Sequence, residues 1–97
     1  MTHLCFVWNP TKAGENLKNH KISFYEAAST FCDLNKISFR DDCHSDYRDE
    51  RHVNIGSSAQ GKLLFVVYGE ESGVVRIITA RKATRSERPD YRDQNVV

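Results

Sequence analysis

The sequence predicts an α+β fold: a small antiparallel sheet with two N-terminal helices and a C-terminal helix, in the order β-α-α-β-β-β-β-α. Three observations predict it. Two helix starts, Asn9-Pro10 and Ser23-x-x-Glu26, follow the first apolar run. Four short segments, alternating or apolar throughout, then succeed one another with turn residues between them, which argues for antiparallel pairing. A second box, Thr84-x-x-Glu87, stands near the end of the chain and suggests a terminal helix. At 97 residues the chain forms a single domain over 1–97 with a thin core.

Residues 4–8 (LCFVW) are short and apolar, so they read as a strand buried on both faces. Asn9 is a good N-cap, and Pro10 fits the first helical position, where a missing N–H costs nothing. That helix runs to Asn19 or His20 and places Ala13, Leu17 and His20 on one face. After the bend at Lys21-Ile22, Phe24, Ala27, Ala28 and Phe31 follow i, i+3, i+4, i+7 spacing and form a buried stripe. Residues 36–40 alternate, with Ile37 and Phe39 on one face of a half-wet strand. Residues 41–50 hold five acidic residues against one Arg and read as a solvated loop. Residues 51–56 alternate again. Residues 62–68 (KLLFVVY) are apolar on both faces, as a central strand requires, and 74–80 pair with them across the turn at 70–73. The terminal helix meets Pro89 further inside than is comfortable, so it kinks there or starts late.

Hydrophobic residues at 39% and charged residues at 28% are ordinary for a water-soluble domain. No apolar run approaches the length needed to cross a bilayer, and the apolar stretch near Met1 is too short for a signal peptide, so the expected site is cytoplasmic, without a membrane partner. The three cysteines, 5, 32 and 43, lack C-x-x-C spacing and fit neither a disulfide framework nor a zinc site; Cys5 and Cys32 read as buried thiols. His44 beside Asp41, Asp42 and Asp46 matches no metal-ligand spacing, and neither a metal nor another cofactor is expected.

The net charge of +1 supplies no overall field, so anion binding must rest on local clustering. Residues 76–92 supply it: six basic residues stand against Glu87 and Asp90, a net of +4, while the rest of the chain carries −3. Arginine forks match phosphate oxygens, which points to RNA; a solvated basic helix or a dock for an acidic partner is the plainer alternative. Arg76 stands mid-strand between Val75 and Ile77, where a charge needs a partner or an open cleft. Arg51 heads a strand on the side shared with Val53 and Ile55. Each is either a phosphate ligand or an ion-pair member, with Glu26, Glu50 or Glu87 as partner. His20, at a helix C-terminus where the dipole favours its protonated form, suits a general acid or a phosphate contact. Trp8 and Tyr91 are candidate base-stacking platforms, Trp8 being the more core-like. No Gly-rich phosphate loop or nucleophile elbow occurs.

The order of these residues resembles the BrnT family of type II toxin–antitoxin systems. The resemblance is carried by F-x-W-N at 6–9, Lys12, Asn16, His20 and F-x-E-A at 24–27. It continues through Arg51, Ile55-Gly56, G-x-L-L-x-V-V-Y at 61–68, R-I-I-T-A-R-K-A at 76–83, Glu87 and Tyr91. It implies a RelE-like fold, RNA cleavage that inhibits translation, and a cognate BrnA-type DNA-binding antitoxin, with which the chain would form a hetero-oligomer. The chain departs from the usual family pattern at Asn9 (Asp), Asn19 (Lys) and Thr79 (Ser).

On this resemblance the expected activity is a metal-independent endoribonuclease. Arg51, Arg76 and Arg81 would stabilise the transition state, Glu26 would be general base and His20 general acid. Lys12, Lys82, Arg85 and Tyr91 would bind RNA. The alternative is a non-catalytic RNA-, ribosome- or antitoxin-binding component of an operon repressor complex.

Overall fold

A computed structural model describes residues 5–43, 45, 50–88 and 91. The elements are β1 (Cys5–Val7), α1 (Pro10–His20), α2 (Phe24–Ser29), a 3-10 turn (Thr30–Cys32), β2 (Ile37–Arg40), β3 (His52–Ser57), β4 (Leu63–Glu71) and β5 (Val74–Lys82). They build one five-stranded sheet in the order β1-β5-β4-β3-β2.

Local signals set both helix starts. The Asn9 side chain accepts from the Thr11 and Lys12 backbone N–H groups, and Pro10 occupies the first turn. Ser23 Oγ accepts from the Glu26 N–H. Helix α1 ends at Lys21, which adopts a left-handed conformation (φ 62°) and returns its N–H to the Leu17 carbonyl. The β4–β5 hairpin closes through Ser72 and Gly73, both at positive φ (51° and 82°), as the right-handed twist of a two-residue hairpin demands.

Register explains the core. Leu64, Val66 and Tyr68 of β4 stand opposite Lys82, Ala80 and Ile77 of β5. Leu64, Val66, Tyr68, Val75, Ile77 and Ala80 make the sheet face that packs on Ile22, Phe24 and Ala27. Ala28 and Phe31 pack at its margin, so the stripe expected for α2 is present. Val53 and Ile55 are buried on the other face, paired with Val67 and Phe65.

Several expectations need correction. The sheet is mixed, because β1 pairs parallel with β5. Within the run expected to be buried on both faces, β1 lies at the edge of the sheet, where of Cys5–Val7 only Phe6 turns inward, and Val7 is 46% exposed. Cys5 and Cys32 are exposed, not buried. On α1 the buried side chain is Asn16, while Leu17 is exposed. Half of the second box is made, since the Glu87 carboxylate accepts from the Thr84 N–H. Residues 85–87 form a turn, and the expected terminal helix, with Pro89, Asp90 and Arg92, lies largely outside the described residues, as does His44. Among the described residues no helix is long and apolar enough to cross a membrane.

Candidate nucleic-acid interface

Strand β1 is only three residues long, so the edge of β5 beyond Arg76 needs another neighbour. Helix α1 takes that place through one side chain. Asn16 Nδ2 donates to the Ala80 carbonyl (2.8 Å) and to the Ile22 carbonyl (2.9 Å). Its Oδ1 accepts from the Ala80 N–H and the Thr79 hydroxyl, each at 3.0 Å. All four hydrogen-bonding capacities of the amide are met, as burial requires. The amide thus imitates a neighbouring strand and fixes α1 against the sheet edge.

Between α1 and β5 lies a cleft of about 460 Å³, lined by Asn9, Lys12, Glu15, Asn16, Asn19 and His20 on one side and by Arg51 and residues 76–79 on the other. Positions 12, 15, 16, 19 and 20 share one face of α1 by helical period.

The two arginines meet through sheet register. Arg76 stands opposite Gly69. Strand β3 pairs with β4 as far as His52 opposite Tyr68, which carries Arg51 to the other flank of Gly69. Gly69 therefore separates the two in one cross-strand row on the face away from α2. A Cβ there would stand 3.6 Å from Arg76 Nη2 and 3.8 Å from the Glu50 carbonyl oxygen. The missing side chain leaves the guanidinium room to lie over the strand.

The other sequence candidates are not brought into this cleft. Glu26 is buried and accepts from the Ser58 hydroxyl at 2.8 Å, with Lys62 Nζ at 3.6 Å. Arg81 is held by Glu87 through two bonds of 2.8 Å and lies over the Phe65 ring, 4.0 Å from its centre. The Arg81 hydrogen bonds hold the Glu87 carboxyl at about 2, well below its ordinary value, and the same bonds raise Arg81. Lys82 and Arg85 are exposed and do not line the cleft. The Tyr91 hydroxyl donates to Asp33. Burial raises the Asp33 pKa, but hydrogen bonds from Ser57, Asn35 and Tyr91 outweigh it and leave the carboxyl below its ordinary value. Trp8 packs edge-on to Phe24 and Tyr25. Sequence reasoning missed Glu15 and the bonding role of Asn16, although the helical period from Lys12 through His20 would have found both. Among the described residues no three His, Cys, Asp or Glu side chains group as metal ligands would.

Fold and cleft define a class: a small α+β domain that converges arginine, lysine and histidine side chains on one polar cleft. Residues 8–87 match the family described as "Ribonuclease toxin, BrnT, of type II toxin-antitoxin system", and the chain belongs to that family. The crystal structure of the Brucella abortus ribonuclease toxin BrnT matches with a TM-score of 0.64 over 86% of this chain and 100% of that one, at 17% identity. That likeness concerns the fold. None of the curated proteins matches.

Proposed function

We propose that this chain is a toxin that inhibits translation by cutting RNA without a metal ion, and that it does so in the α1–β5 cleft. The carrying observation is that Arg51 and Arg76 flank Gly69 and open on the same cleft as Lys12 and His20. A phosphodiester seated there meets two planar guanidinium donors suited to the charge that develops on a phosphorane. Lys12 steers the phosphate. His20 gives its proton to the departing 5′-oxygen.

Glu26 and Arg81 take architectural roles in this reading. Each is committed to partners outside the cleft, Glu26 to Ser58 and Lys62, and Arg81 to Glu87. Lys82 and Arg85 extend the basic surface for the flanking strand. The partner that restrains the toxin is a BrnA-type antitoxin carrying the DNA-binding function, and both act in the cytoplasm.

The test is to incubate purified chain with RNA in excess chelator and map the ends. New 5′-hydroxyl ends support the reading. RNA that is bound but stays intact supports a blocking protein instead, and cutting that stops in chelator removes the metal-free mechanism.

A further inference from the structure

Attack by a ribose 2′-hydroxyl needs a group to take its proton, and Glu26 lies elsewhere. Among the described residues lining the cleft, Glu15 is the one carboxylate. It is exposed on the cleft side of α1, three residues after Lys12 and one turn before Asn19 and His20. No side-chain hydrogen bond or ion pair to another described residue engages it. Asn16, its neighbour, is locked to Ala80 by paired bonds, so the helical turn carrying Glu15 is fixed relative to Arg76. Among the described residues, the titratable groups facing this opening are Lys12, Glu15 and His20 from α1, Arg51 at the head of β3 and Arg76 from β5.

We infer that Glu15 is the general base of the cleavage step, a role that rests on the ribonuclease reading above. The 2′-hydroxyl passes its proton to the Glu15 carboxylate as its oxygen bonds to phosphorus. The bond from phosphorus to the 5′-oxygen breaks, and that oxygen takes a proton from the His20 imidazolium. The products are a 2′,3′-cyclic phosphate and a 5′-hydroxyl, with one proton gained by Glu15 and one lost by His20. A carboxylate serves here because it accepts a proton while the surrounding cations hold the phosphate.

The experiment is single-turnover cleavage of an RNA oligonucleotide across pH by wild type, Glu15→Gln and Glu15→Asp. Binding of the matching 2′-deoxy oligonucleotide, which lacks the nucleophile, is measured in parallel. Glu15→Gln should lower the rate about a hundredfold or more and flatten the acidic limb of the pH profile. Deoxy-oligonucleotide binding should be unchanged or tighter, since a negative charge leaves a basic cleft. Glu15→Asp should restore part of the rate. A Glu15→Gln enzyme that cuts as fast as wild type, with the same acidic limb, overturns the assignment while leaving the ribonuclease reading intact. A faster variant also overturns it, and makes Glu15 a brake on phosphate binding. If wild type itself leaves no cut ends, the ribonuclease reading fails and this inference falls with it.

Discussion

Asn16 pairs with Ala80 as an adjacent strand residue would, giving to its carbonyl and accepting from its N–H at 2.8 and 3.0 Å. One amide thus turns a helix into the continuation of a sheet edge and makes the α1 wall of the cleft rigid. Asn16→Ala would leave the Ala80 N–H and the Ala80 and Ile22 carbonyls without this partner. Each unmet buried group costs about 1–3 kcal/mol. Urea unfolding should show a loss of at least about 2 kcal/mol. A loss below about 0.5 kcal/mol would mean that water or relaxation replaces the amide.

The Arg81–Glu87 pair has a pH signature. The Glu87 carboxyl is held at about 2 against an ordinary 4.5. A depressed carboxyl contributes stability that is complete above the unfolded value and fades as pH falls through the folded one. The stability gap between wild type and Glu87→Gln should therefore be steady at neutral pH and close between pH 4.5 and about 2. A gap that persists unchanged at the acidic end would mean that the charge of Glu87 is not its contribution.

Gly56 marks where β3 passes beneath the 3-10 turn. A Cβ added there would come within 2.9 Å of the Thr30 carbonyl oxygen, which is backbone and cannot swing aside. Gly56→Ala should cost about 1–3 kcal/mol, as overpacking does, and lower the melting temperature. An unchanged melting curve would show that the turn shifts freely.

Gly69 separates shape from stability. Alanine meets Arg76 Nη2 at ordinary contact distance, 3.6 Å, whereas the methyl groups of valine would crowd the guanidinium. RNA cleavage should fall further in Gly69→Val than in Gly69→Ala, with both variants folded. Equal activity in all three proteins would remove Gly69 from the account of how the arginines converge.

What the sequence made legible was local. The Asn9 and Ser23 caps act within three residues, and the α2 stripe within two turns, so pattern alone finds them. The 62–68 run betrays its central place because both faces are apolar. The place of β1 was hidden, since a short apolar run looks alike at an edge and at a centre, and parallel pairing with β5 leaves no local mark. For the site, His20, Arg51 and Arg76 were singled out by residue type and place, Lys12 by the family resemblance, and all four share the cleft. Arg81, just past the 74–80 segment, joined Arg51 and Arg76 as a candidate through the family resemblance. The turn at 85–87 returns Glu87 to Arg81, which does not line the cleft.

The account rests on Arg51 and Arg76 acting together on one phosphate. The direct measurement is cleavage of a defined RNA by Arg51→Ala and Arg76→Ala, with melting temperatures recorded alongside. Each substitution should lower the rate on the order of a hundredfold or more while the protein stays folded. Two well-folded variants that cut RNA as wild type does would contradict it.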